Sequence, residues 1–140
     1  MSATYLVDTS AFIRLSSQPH LKQEWISQMA AGRLALCPLT ELEILYTAQS
    51  MEHRRRLEQT FAAFYVWVPI SDRAIDRAAV VQADMTKLGM QRSAGVVDLL
   101  VAATAEEHHM TVLHYDRDFA NLARVTGQSV EWVTTPGTVS

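Results

Sequence analysis

The chain has 140 residues, of which 49% are hydrophobic and 19% charged, with five glycines and four prolines. That is the length of about one domain, too aliphatic for a disordered chain and too poor in Gly and Pro for collagen-like or linker sequence. Twelve Lys+Arg against fifteen Asp+Glu give a net charge of −3, which excludes a protein that grips nucleic acid by bulk charge and leaves only a local nucleic-acid role.

Thr4 to Val7 is a short β-prone run that ends at Asp8-Thr9-Ser10, helix-capping chemistry. Ser17 and Pro19 open a helix in which Leu21, Trp25 and Met29 recur every four residues, and Gly32 closes it. Leu34 to Cys37 reads as a second strand. Thr40 and Glu43 form a T-x-x-E capping box ahead of a helix with Leu42, Leu45, Tyr46 and Gln49 on one face. Leu57, Phe61, Phe64 and Tyr65 continue a helical stripe, and Val66 to Ile70 reads as a strand. Ser71-Asp72 starts a further helix with Ile75, Ala78, Met85 and Leu88 inward and Gly89 just past its end. Ser93 to His109 is helical, Thr111 to Tyr115 a strand, Phe119 to Val125 a helix up to Gly127, and Val130 to Val133 a last strand. Strands alternating with helices predict an α/β fold, one domain over residues 1–140 with a mostly parallel central sheet covered by helices on both faces.

The lone cysteine, Cys37, forms no internal disulfide and suits a reducing compartment. Met1-Ser2-Ala3-Thr4 lacks a basic leader region, and the apolar run from Ala94 to Ala105 is broken by Asp98. It is also shorter than the ~20 residues a membrane span needs. A soluble cytoplasmic protein is expected.

In an open α/β sheet the site lies outside the carboxyl ends of the strands. Asp8 ends the first strand, Asp116 follows the fourth with Asp118 two residues on, and Glu43 lies early in the helix after the second. Asp98 stands alone between Val96-Val97 and Leu99-Leu100-Val101, where burial costs several kcal/mol unless something compensates it. No fixed cation accompanies these carboxylates in sequence. A shared Mg²⁺ or Mn²⁺ answers that need, because hard divalent cations choose carboxylate oxygens and water. Such a site suits phosphodiester hydrolysis.

Four segments then carry a family resemblance: Leu6-Val7-Asp8-Thr9-Ser10, Thr40-Glu41-Leu42-Glu43-Ile44-Leu45-Tyr46, Val97-Asp98-Leu99-Leu100-Val101-Ala102-Ala103, and His114-Tyr115-Asp116-Arg117-Asp118-Phe119. In this order they resemble the PIN-domain ribonucleases, and within them the VapC toxins of toxin–antitoxin pairs. The resemblance implies a PIN-like fold with Asp8, Glu43, Asp98 and Asp116 as the acidic quartet. Asp8, Asp98 and Asp116, with Asp118, would hold the metal, and Glu43 would bind through water or help to deprotonate the attacking water. Thr9 and Ser10 are candidates for orienting a carboxylate or phosphate. The family's Thr-x-x-Glu spacing selects Glu43 over Glu41, and the two lie about 200° apart around a helix. The resemblance further implies cleavage of structured RNA such as tRNA or rRNA to 5′-phosphate and 3′-hydroxyl ends. It also implies a homodimer and a VapB-type antitoxin, whose groove is expected near Trp25, Leu45 and Tyr46.

Plainer readings stand beside these. Asp8 is also a good helix cap, and Asp116-Arg117-Asp118 a polar turn. His53-Arg54-Arg55-Arg56 is the only basic run, either a solvated helix face or an RNA-contacting patch. Trp25, Phe61 and Trp67 are expected in the core, and His114 is expected to be structural. No zinc, nucleophile-elbow or phosphate-loop motif occurs. Two rivals remain. One is a receiver-like phospho-acceptor domain, disfavoured by the lack of a Lys after the last strand. The other is a PIN-like protein-binding module without catalysis.

Overall fold

The structure is a computed structural model that describes residues 3–140; Met1 and Ser2, which enter the reading of the leader region, lie outside them. Its elements are β1 (Tyr5–Val7), α1 (Thr9–Ser17), α2 (Pro19–Ala30), β2 (Leu34–Leu36), α3 (Pro38–Tyr46), α4 (Met51–Phe64), β3 (Val66–Trp67), α5 (Asp72–Lys87), α6 (Val96–Glu107), β4 (Thr111–His114), α7 (Arg117–Thr126) and β5 (Val130–Trp132). The strand–helix order is the one the sequence predicts, and the five strands pair in parallel in the order β3-β2-β1-β4-β5.

The period of two along β1 sends adjacent side chains to opposite faces. Leu6, with Ala35 and Val112 from its neighbours, packs beneath Val81 and Met85 of α5, Leu99 and Ala103 of α6 and Phe119 of α7. Val7, with Leu34, Leu36 and Leu113, packs against Phe12 and Leu15 of α1, Leu21 and Met29 of α2, Ile44 of α3 and Phe61 of α4. Both faces are therefore covered, and β1 is buried between β2 and β4. The pairing Val7↔Leu113 brings the carboxyl ends of β1 and β4 side by side, so that Asp8 and Asp116 emerge at the same edge.

Several local expectations are corrected. Helix α3 begins at Pro38 with Cys37 as its cap, because proline at the first helical position is already set to helical φ. Thr40 therefore lies inside the helix, fully buried, with its hydroxyl 3.6 Å from the Cys37 sulfur, and the T-x-x-E capping box does not form. Instead, at the start of α6, the Asp98 carboxylate accepts the Gly95 N–H at 3.1 Å. That helix starts at Val96 rather than Ser93. In α5 the buried stripe is Ala74, Ala78, Val81 and Met85, leaving Ile75 and Leu88 exposed. On α3, Leu42 and Tyr46 face solvent while Ile44 is buried. Trp67 is 58% exposed, against the expected core position, because β3 is the two-residue edge strand.

Candidate active site

Asp8 follows β1 directly and is 4% exposed. It caps α1, its Oδ2 accepting the Ser10 N–H at 3.0 Å and the Ser10 hydroxyl at 2.7 Å. The same Ser10 Oγ accepts the N–H of Tyr115 at 2.9 Å. One hydroxyl thus fixes the Asp8 carboxylate and ties it to the chain that leaves β4. Asp116 caps α7 by accepting the Asp118 N–H at 2.9 Å. Its own N–H donates to Nδ1 of His114 at 3.2 Å. His114 is fully buried and packs between Phe119 and Trp132, so it is structural, as expected, and it also orients the Asp116 backbone. On α3, Glu43 accepts the hydroxyl of Thr9 at 2.8 Å.

Asp98, Asp116 and Asp118 each present a carboxylate oxygen, and these oxygens lie within 4.8 Å of one another. Burial pushes the Asp98 carboxyl up to about 7, and the charges of Asp8, Asp116 and Asp118 add to it against the Gly95 hydrogen bond. Burial also raises Asp8, with Glu43 adding to the shift and the Ser10 bonds opposing it. Asp118 is raised by burial and by Asp116. Among the described residues no Lys, Arg or His side chain is ion-paired to any of these five carboxylates. An all-oxygen donor set with unbalanced negative charge fits a hard divalent cation. The capping reading of Asp8 and Asp116 is correct as geometry and does not compete with this one, since each carboxylate keeps an oxygen outside its cap.

Glu41 points elsewhere. It lines a cleft of about 300 Å³ with Glu58, Tyr65 and Trp67, and burial followed by the Glu58 charge raises its pKa. The basic run lies on α4, which supplies no residue to the carboxylate cluster. There Arg54 pairs with Glu58 at 3.8 Å and Arg56 with Glu52 at 3.3 Å along the helix, while Arg55 is exposed. Phe12 is core, edge-on to Phe61. An apolar cleft of about 360 Å³ opens between α1, α3 and α4, lined by Thr9, Phe12, Ile13, Ser16, Ile44 and Leu57. It borders Thr9 and so touches the site, whereas Trp25 packs on the edge of the core with its indole N–H on the Val133 carbonyl. The Tyr115 tie and the placement of Arg14 beside it are absent from the sequence reading. The only signal for Arg14 was its position one helical turn after Ser10.

A family profile described as the PIN domain matches residues 5–125. Ribonuclease VapC21 of Mycobacterium tuberculosis is 38% identical over 138 residues, 99% of each chain. Ribonuclease VapC51 of the same organism is 36% identical over 139 residues, again 99% of each. In fold, the chain is similar to the DNA-bound VapBC of Salmonella typhimurium, with a TM-score of 0.79 over 94% of this chain and 99% of that one at 18% identity. Sequence and fold agree with the acidic edge of the sheet: the chain belongs to the PIN-domain family, among the VapC ribonucleases.

Proposed function

We propose that this protein is a metal-dependent endoribonuclease toxin that hydrolyses phosphodiester bonds in structured cellular RNA such as tRNA or rRNA. The observation that carries the metal is the convergence of Asp98, Asp116 and Asp118 oxygens within 4.8 Å, with no cation paired to them among the described residues. Asp8, Asp98 and Asp116, with Asp118, would hold Mg²⁺ or Mn²⁺. When bound, the ion lowers the pKa of water and neutralises charge on the transferring phosphoryl group. The chain's own residues do the rest. Ser10 fixes the Asp8 carboxylate, and Thr9 holds one oxygen of Glu43. Glu43 takes a proton as water attacks phosphorus. The bond between phosphorus and the 3′-oxygen breaks, the departing oxygen takes a proton from solvent water, and the products are a 3′-hydroxyl and a 5′-phosphate.

Cleavage of total RNA is expected to stop in excess EDTA and to return with Mg²⁺ or Mn²⁺ but not preferentially with Zn²⁺. Full cleavage in EDTA overturns the metal site. Glu43→Gln should lower turnover by roughly 10²–10⁴-fold, the usual worth of a general base, while Glu41→Gln is tolerated. The reverse pattern would transfer the role to Glu41.

The same reading supplies the partners. The protein acts in the cytoplasm as one PIN domain over residues 1–140, pairs with a second copy, and is neutralised by a VapB-type antitoxin. Among the described residues no helix is long and apolar enough to cross a membrane. The antitoxin seats apolar side chains in the α1–α3–α4 cleft and directs an Arg or Lys toward Asp8, Asp98 and Asp116. Ile13, 45% exposed at the cleft, provides the test. Ile13→Asp should weaken antitoxin binding about tenfold or more, by roughly the transfer energy of one buried aliphatic side chain, with RNA cleavage retained. Unchanged binding would place the antitoxin on another face.

A further inference from the structure

Arg14 lies one turn along α1 from Ser10 and is half-buried. Its Nη1 donates to the Ser10 carbonyl at 3.2 Å, and its guanidinium carbon stands 4.8 Å from the centre of the Tyr115 ring. Both partners belong to the site's framework. Ser10 Oγ holds Asp8 and the Tyr115 N–H, and Tyr115 immediately precedes Asp116. The ring is fixed at its far end too, where its hydroxyl donates to the Val139 carbonyl at 3.0 Å and accepts the Gly137 N–H at 2.8 Å. The guanidinium is therefore held in a set direction relative to Asp8 and Asp116.

Beside an acidic site, such a cation would be expected to neutralise a carboxylate. Among the described residues Arg14 pairs with none. Among the described residues its Nε is buried without a partner, and its one hydrogen bond runs from Nη1 to the Ser10 carbonyl. With one Nη1 N–H on the Ser10 carbonyl, a second Nη1 N–H and the two of Nη2 remain, and this planar terminal edge matches the two non-bridging oxygens of a phosphate. An oriented guanidinium also loses less side-chain freedom on binding than a mobile one. The metal ligands serve the phosphate that reacts, but their carboxylates repel the phosphates next to it. The geometry points to Arg14 as the residue that grips the RNA backbone beside the scissile phosphodiester, a substrate-binding role that rests on the ribonuclease reading above. The paired arginines of α4 are less free for that task, since Arg54 and Arg56 already face Glu58 and Glu52.

The test is formation of new 5′-phosphate ends from total RNA by the intact protein with Mg²⁺ or Mn²⁺, at salt concentrations from about 50 to 200 mM. Arg14→Gln should lower the apparent kcat/KM by about tenfold to a hundredfold, the worth of one charge-assisted contact. The loss should fall mainly on KM. The log–log salt dependence should become shallower by about 0.7–0.9, the range for one phosphate contact on single-stranded to duplex nucleic acid. Arg14→Lys should restore the salt slope but only part of KM, since it keeps the charge and loses the fork. Arg73→Gln removes a cation at the opposite end of α6 from Asp98, where it pairs with Glu107, and should change neither quantity. A purely structural Arg14, stacked on Tyr115, alters melting but leaves slope and KM in place, and that result overturns the inference. If Arg14→Gln does not fold, Arg14→Lys decides: a raised KM at unchanged slope supports the role, and a wild-type KM refutes it. Wild-type protein that makes no new ends with either metal defeats the ribonuclease reading itself, and the Arg14 role falls with it.

Discussion

Asp98→Asn should be catalytically dead and, without metal, at least as stable as the wild type. Asparagine keeps the volume and removes one of several carboxylates held together without a paired cation among the described residues. The amide is a poor ligand for a hard cation, and losing several kcal/mol of metal-derived stabilisation slows turnover on the order of 10³-fold. At neutral pH the apo variant escapes the cost of ionising a carboxyl whose pKa stands at about 7. Because Asp98 is only partly buried, solvent screening reduces that gain to about 1–2 kcal/mol, or a few degrees in Tm. Metal at a hundred times its Kd should stabilise the wild type by about 2.7 kcal/mol and the variant much less. Thermal melts of both proteins, with EDTA and with millimolar Mg²⁺ or Mn²⁺, measure the stabilities, and RNA cleavage measures the turnover. A destabilised apo variant whose metal response matches the wild type would remove Asp98 from the centre.

Between pH 4 and 7, metal-free protein should show two opposed titrations. His114 is neutral in the fold, held down to about 4 by burial, with the Asp116 charge opposing. The unfolded chain takes up that proton near 6.5, so His114 makes stability fall as pH drops from about 6.5 to 4, by up to about 3 kcal/mol. Asp98 works the other way. Its folded pKa of about 7 lies above the unfolded value near 4, so the fold binds the extra proton, and stability falls as pH rises through that window. The wild-type profile in EDTA should therefore be shallow. Asp98→Asn should steepen it into a clear rise from pH 4 to 6.5. His114→Phe, which keeps an aromatic ring between Phe119 and Trp132, should reverse it into a fall. Denaturant melts across this range give the slopes, and a difference between Asp98→Asn and wild type that is constant with pH would show that Asp98 titrates normally.

Much of this architecture is legible locally. Short apolar runs that end in Asp8 and Asp116, separated by amphipathic stripes, suffice for a parallel sheet with carboxylates at one edge. The errors are instructive. Thr40 and Glu43 satisfy a capping pattern, but Pro38 starts the helix earlier and turns Thr40 into the core. Ile75 and Leu88 are apolar yet lie off the buried stripe formed by Ala74, Ala78 and Met85, so residue type alone picked the wrong edge of the helix. At the site, residue types sufficed to nominate the carboxylates. The Ser10–Tyr115 bond joins positions 105 apart, and no local pattern records which N–H a hydroxyl will find across a sheet. Arg14 was hidden for the same reason, since its meaning comes from the ring beneath it.

The strand order β2-β1-β4 has a consequence for the growing chain. Asp8 is among the first residues made, but the strand beside it that leads to Asp116 follows more than a hundred positions later, after α6 has delivered Asp98. An N-terminal fragment that stops before β4 contains Asp8, Glu43 and Asp98 but has nothing to pair on that flank of β1. Ser10 then lacks the N–H it accepts, and the oxygens of residues 98, 116 and 118 cannot meet. Partly synthesised or truncated chains of this kind hold most of the acidic residues without the assembled cluster, and on the ribonuclease reading proposed above, activity begins only when the sheet closes around its middle strand.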